Sequence, residues 1–181
     1  MTAAAVSRQT LLSTQSPEHA EILREAITMV LYVSVVEIAE LAALPQTHGA
    51  HGATTGAVGS QLLAIIWGTA VGLAIAHWFA FRIAAPAFRG ESPTRLDAQI
   101  GLAQLAGAIL VAAISSLPVL LLNDVRAQET TGDVPAVIIG VIGYFVARAS
   151  GRGQLQAVAY GVTALALGVV VALVKVKLAA H

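Results

Sequence analysis

Five long apolar segments constrain the fold of this chain more than any other feature of its sequence. A helix rises about 1.5 Å per residue, and about 20 residues cross the hydrocarbon core of a bilayer. The segments cover about residues 23–44, 61–85, 100–122, 134–149 and 157–174. The fourth in chain order, with about 16 residues, either spans with little tilt or is re-entrant, and the others meet or approach the full length. We therefore expect an all-α, polytopic membrane helical bundle with about five transmembrane helices.

The composition agrees with a membrane environment and excludes several classes of function. The 181 residues are 57% hydrophobic and 11% charged, whereas a soluble domain carries about 25% charged residues. The net charge of zero gives no indication of a nucleic-acid partner. The absence of cysteine excludes disulfides, thiolate metal sites and thiol catalysis. No P-loop, dinucleotide, serine-elbow or HExxH motif is present, so we expect no enzyme and no cofactor.

Serine followed by proline marks the predicted start of two helices. In Ser16-Pro17 and Ser92-Pro93, serine is a favoured N-cap and proline is favoured at the first helical position. Asp133 is the candidate cap of the fourth helix. These signals predict a single transmembrane domain, residues 1–181, with helices at about 17–44, 61–85, 93–122, 134–149 and 155–176.

Lysine and arginine predict the orientation, since cytoplasmic loops of membrane proteins carry an excess of both. With the N-terminus inside, the cytoplasmic set is Arg8, Arg24, Arg82, Arg89, Arg95, Arg148 and Arg152, and the outer set is Arg126, Lys175 and Lys177. The two lysines would prefer the cytoplasm. Removing the fourth span would move them there, but it would also carry Arg148 and Arg152 outside. We therefore expect five spans, with the N-terminus inside.

Small residues predict where helices approach closely, because lipid offers helices no hydrophobic reason to associate. The second helix carries Gly68, Gly72, Ala76 and Ala80 at a spacing of four, and Gly107 and Gly161 lie on the third and fifth helices. One interpretation is packing within the chain. The other is that the stripe on the second helix makes a homo-oligomer contact, since five helices barely enclose a polar path.

Pro118 predicts a kink in the third helix, because proline lacks an N–H and clashes with the preceding turn. Ser115 or Ser116 is expected to satisfy the backbone groups that the proline frees. The kink is either a packing feature or the hinge of a gate.

Two carboxylates in the first apolar segment are the strongest functional indication. Counted from residue 26, Glu37 lies roughly 16 Å into the membrane, and Glu40 is one turn closer to the outside. Ser34 lies on the same helical face. An ionised carboxylate at this depth costs about 3 kcal/mol on insertion scales, so it must face water or protein, pair with a cation, or hold a proton. Glu37 therefore predicts an ion or proton pathway, with Glu40 at its outer mouth.

Glu40 also has an ordinary structural interpretation. Near the outer interface it is expected to pair with Lys175 or Lys177 of the fifth helix. Glu37 has no such partner in the sequence.

The histidines are weaker candidates. His77, near the inner end of the second helix, either relays protons or is a neutral interface residue. His48 and His51 lie three apart in a glycine-rich outer loop. They either contribute to a metal site, which for zinc needs three or four ligands, or are simply solvated.

The block WGTAVGLAIAHWFAFR at residues 67–82 resembles a segment of small actinobacterial integral membrane proteins, and the layout of most of the chain is similar too. The resemblance implies a multi-pass protein of a bacterial plasma membrane, and it supplies no activity.

Three hypotheses about function follow from these patterns. The first is a small ion channel or transporter-like protein, with a cation or proton as the cargo because acidic residues favour positive charge. The second is a non-catalytic membrane subunit or scaffold that packs a partner through small-residue helix faces. The third is a membrane enzyme with a site at the inner interface. A water-filled cavity at Glu37 would favour transport, whereas a buried polar partner for Glu37 would favour the scaffold.

Overall fold

The structure, a computed structural model, describes residues 17–44, 57–89 and 94–179, and all regular secondary structure in these ranges is helical. The elements are α1 (Pro17–Ala42), α2 (Ser60–Arg89), α3 (Arg95–Leu121), α4 (Asp124–Thr131), α5 (Asp133–Ala149) and α6 (Gln154–Ala179). Three described helices, α2, α3 and α6, are long and apolar enough to cross a membrane. α1 is a continuous helix whose apolar part contains Glu37 and Glu40, and α5 has 17 residues.

The helix starts agree with the sequence in part. Pro17 is the first residue of α1, whereas Ser16, Ser92 and Pro93 lie outside the described residues. The N-cap of α3 is Thr94, which forms a capping box with Asp97.

The predicted cap of α5 is wrong. Asp133 is the first helical residue, and Gly132 precedes it without a side-chain hydrogen bond. The sequence does not predict the short helix α4 that precedes α5, because its residues, DVRAQETT, are mostly polar and are typical of a loop.

Contacts between helices give their relative directions. Along α1 and α3, Glu25 meets Gln104 and Glu37 meets Ser115, so these two helices run in the same direction. The side chain of Trp67 reaches Ser116, whereas Trp78, eleven residues farther along α2, lies against Gly101. α2 is therefore antiparallel to α3.

α5 and α6 form an antiparallel hairpin with close backbone contact. A Cβ placed at Gly143 would lie 3.2 Å from Cα of Gly161, and one placed at Gly168 would lie 2.9 Å from Cδ1 of Ile139. This pair has the most extensive contact in the described chain, and α1 touches all four of the other long helices. Directions thus alternate along α1, α2 and α3 and between α5 and α6, and α1 lies in contact with all the other long helices.

The main apolar core lies where α1, α2 and α3 meet. It contains Met29, Val30, Val33, Leu41, Leu62, Ile66, Ala70, Ala74, Ala108, Val111 and Ala112. A smaller cluster of Ile38, Ala39 and Ile139 joins α1 to α5. The part of α1 that carries Glu37 is therefore held in place by packing against α2, α3 and α5.

The small residues divide into packed and unpacked sets. A Cβ at Gly107 would lie 2.9 Å from the Ala26 carbonyl oxygen, and one at Gly161 would lie 2.7 Å from that of Gly140, so both serve packing within the chain. A Cβ placed at Gly68 or Gly72 would meet no described atom within 4 Å. Ala76 and Ala80 are exposed on the same stripe. Within the described residues, then, the stripe of α2 makes no close packing contact, and its role stays a prediction.

Pro118 is buried inside α3, which continues to Leu121. The expected role of the neighbouring serines is wrong. Ser116 Oγ donates to the Ala112 carbonyl oxygen at 2.7 Å, and Ser115 bonds a side chain of α1. Neither serine bonds the Ile114 carbonyl, which loses its usual donor at residue 118. The kink stays a prediction.

Candidate ion or proton site

Glu37 lies in the seam between α1 and α3. It is 1% exposed, and the Ser115 hydroxyl donates to its Oε2 over 2.7 Å. The parallel course of the two helices brings the residues together, and Gly107, about two turns before Ser115 on α3, allows the backbones to approach closely at Ala26. The candidate site is therefore a buried carboxyl group held by one neutral donor.

The other oxygen of this carboxyl group is unsatisfied. Within the described residues, Glu37 Oε1 and Ser34 Oγ are both buried without a hydrogen-bond partner, and Ser34 is 0% exposed. An unpaired ionised carboxylate in a low-dielectric interior costs several kcal/mol, on the order of 3 or more. A proton on the carboxyl group or a cation beside it would remove that cost. The proton would bind Glu37 Oε1, and a cation would bind Glu37 Oε1 with Ser34 Oγ as a second oxygen ligand.

Glu40 occupies a different environment from Glu37. It is half-buried, and the Thr69 hydroxyl of α2 donates to its Oε2. Glu40 and Thr69 line a groove of about 480 Å³ between α1 and α2, together with Gly68 and Leu44. The predicted pairing with Lys177 is wrong, since Glu40 bonds α2 and Lys177 is exposed on α6. The side chain of Lys175 lies outside the described part of the chain.

A second polar group closes the opposite end of the seam. Gln104 Nε2 donates to Glu25 Oε2 at 3.1 Å, and Arg24 pairs with the other oxygen of Glu25 at 3.0 Å. Gln104 Oε1 is buried and unpartnered within the described chain. Sequence reasoning missed this pairing and that of Ser115 with Glu37, because both depend on the register of α1 against α3.

An apolar barrier separates the two polar groups. Glu25 and Ser34 are nine residues apart on α1, a distance of about 13 Å along the helix axis. The intervening seam is formed by Met29, Val30, Val33, Ala108 and Val111, all 5% exposed or less. Glu37 is therefore closed off from the Glu25 end and lies one turn from the groove at Glu40.

The histidines do not join this site in the described chain. His77 is half-buried on α2, about 12 Å along the helix from Thr69, and no hydrogen bond links it to the described carboxylates. His48 and His51 lie outside the described residues. Among the residues that are described, no group of three or more His, Asp or Glu side chains could hold a metal ion.

Comparison with family models, curated proteins and solved structures finds no match.

Proposed function

We propose that this protein is a small multi-pass membrane transporter or channel for protons or small cations, and that Glu37 binds the cargo. The observation that carries the proposal is the half-satisfied carboxyl group. Ser115 serves one oxygen, while the other oxygen and the neighbouring Ser34 hydroxyl have no partner in the described chain. Ser115 is a buried polar partner of the kind that favours the scaffold, and Glu37 itself does not line the groove at Glu40. Ser115 serves only one of the two oxygens, however, whereas the large majority of buried polar atoms in proteins are hydrogen-bonded.

The proposed transport path follows one side of α1, from Glu40 to Glu37. A proton or cation enters from the groove at Glu40 and Thr69, moves one turn to Glu37, and binds there. The apolar barrier then blocks its release toward Glu25 and Gln104. Transport requires the seam to open, with Pro118 a hinge for α3.

The proposed membrane topology has five spans with the N-terminus inside, in a bacterial plasma membrane. An odd number of crossings is supported by two observations: α2 runs opposite to α1 and α3, and α6 runs opposite to α5. Arg148 and Arg152 then share one membrane face with Arg24 and Arg82, as the excess of basic residues in cytoplasmic loops requires. His77 lies toward that same face.

Flux into liposomes tests the proposal. Purified protein is reconstituted, and uptake of protons, Na⁺ and K⁺ is measured for the wild type, Glu37→Gln and the exposed control Glu18→Gln. We expect a protein-dependent flux that Glu37→Gln lowers at least about tenfold, a loss of roughly 1.4 kcal/mol in transition-state stabilisation. Equal flux in the wild type and Glu37→Gln, or no flux of any of these ions, would contradict the proposal.

A non-catalytic subunit that assembles through α2 is the second candidate. The outward stripe of Gly68, Gly72, Ala76 and Ala80 favours it, because small residues at a spacing of four allow close helix association in lipid. The partner we propose is a second copy of the chain. Native mass spectrometry in mild detergent would detect an oligomer that Gly72→Leu disrupts and that Ala166→Leu, at an exposed small residue of α6, does not. Monomer alone for the wild type would contradict it.

A further inference from the structure

A groove with mainly apolar walls lies between α2 and α3. It encloses about 490 Å³. Its walls are mainly apolar, with Ala74 and Ile75 on α2 and Gly101, Leu102 and Leu105 on α3. Leu102 is 66% exposed and Ile75 58%, so the groove opens to the surroundings of the bundle instead of into its core.

A cation and an aromatic ring stand at one end of the groove. The Arg82 guanidinium lies 5.4 Å from the centroid of the Trp78 ring, and both residues line the groove. The ring is held against α3, because a Cβ at Gly101 would lie 2.9 Å from its Cδ1. Arg82 is therefore presented on a fixed platform.

This end of the groove lies level with the polar first turn of α3. Arg82 of α2 and Asp97 of α3 both line it, and α3 begins at Arg95, before its apolar segment starts at about residue 100. Trp78 lies one turn from Arg82, and tryptophan is enriched at membrane interfaces.

The one acidic residue of the groove is already engaged. Asp97 is 7% exposed, and its Oδ2 accepts hydrogen bonds from the backbone N–H of Thr94 at 2.8 Å and from its hydroxyl at 2.9 Å. These donors compensate much of its charge, whereas the exposed arginines face outward. The rim of the groove therefore favours an anion.

We propose that this groove binds an anionic phospholipid, with the phosphate on Arg82 and one acyl chain along Ile75, Leu102 and Leu105. Basic residues near the membrane surface attract anionic headgroups, and guanidinium groups bind phosphate through two parallel hydrogen bonds. The apolar walls bury methylene groups of the chain. The proposal depends on the membrane environment of α2 and α3, and it is independent of transport through Glu37.

Lipid retention tests the proposal. The full-length protein is titrated in mild detergent with phosphatidylglycerol or phosphatidylcholine, and bound lipid is counted by native mass spectrometry. We expect phosphatidylglycerol to bind more tightly, and Arg82→Ala to weaken it about fivefold, as the loss of one basic contact implies. Arg126→Ala, at an exposed arginine of α4, is the control and should bind as the wild type does.

Filling the groove separates chain binding from headgroup attraction. Ala98→Trp places a ring in the groove, and Ala106→Trp places one on the exposed side of α3 outside it. We expect only the first to lower retention of phosphatidylglycerol. Arg82→Lys keeps the positive charge and should retain the preference for the anionic lipid. It tests the headgroup contact even if Ala98→Trp does not fold. Equal binding of both lipids by the wild type, or wild-type retention in Arg82→Ala, would overturn the proposal.

Discussion

At the scale of the residue, Glu37 and Glu40, the last two glutamates of α1, differ because their neighbours differ. Glu37 is enclosed by the α1–α3 seam and receives one hydrogen bond, whereas Glu40 borders a groove and bonds Thr69 of α2. Spacing along one helix cannot reveal this distinction, because i and i+3 positions look equivalent until the neighbouring helices are placed. The buried, half-satisfied group is the one suited to bind and release a charge.

Replacing Ser115 by alanine should destabilise the protein. The substitution removes the donor to Glu37 and leaves both carboxyl oxygens without a protein partner, so the free energy of unfolding should fall by about 1–3 kcal/mol. Unfolding in mixed micelles measures the change, with Ser150→Ala as a control that removes only an exposed serine-to-backbone bond. Equal stability of Ser115→Ala and the control would show that the bond contributes nothing to Glu37.

At the scale of the element, the sequence predicts where helices lie far better than which faces meet. The apolar segments and the Ser-Pro start signals together predict the limits of α1, α2, α3, α5 and α6 to within about four residues, because hydropathy reports burial in lipid or protein and proline favours the first turn of a helix. They miss α4, which is polar. They also leave the partner of each helix face open, since a small residue indicates close approach without indicating to what.

Glycines of the packed and unpacked sets should respond differently to alanine. In Gly107→Ala the new Cβ meets backbone at Ala26, so the seam must shift and the free energy of unfolding should fall by about 1–3 kcal/mol. Gly72→Ala meets open space and should not destabilise the monomer, because alanine is the better helix former. Unfolding of both variants in a monomeric detergent state measures the difference, and the reverse order would contradict the packing of α1 on α3.

At the scale of the whole molecule, α1 is both the central packing element and the carrier of the polar groups. Its contacts with the four other long helices mean that a change of charge at Glu37 acts on the seam with α3 and, through the Ile38 cluster, on α5. The contacts around Glu37 depend on how α1 is aligned with several other helices simultaneously. The sequence predicts Glu37 as the residue of interest, but Ser115 and the outward stripe of α2 become evident only in three dimensions.

The proposed topology predicts which loops a membrane-impermeant thiol reagent can reach. The chain has no cysteine, so a single introduced cysteine reports its own position. Asn123→Cys, before α4, should react in intact cells, whereas Ser150→Cys, between α5 and α6, should react only after permeabilisation. The cysteine-free wild type is the control, and labelling of both variants in intact cells would rule out α5 as a span.

The most direct test of the central claim is to observe the charge state of Glu37 itself. Infrared difference spectra of the protein in lipid membranes, recorded on changing pH and on adding Na⁺, report the gain or loss of a protonated carboxyl group, and subtraction of the Glu37→Gln spectra isolates this residue. We predict a carboxyl band of the wild type that changes with proton or Na⁺ concentration and is missing in Glu37→Gln. Difference spectra that are the same for both proteins would contradict the account.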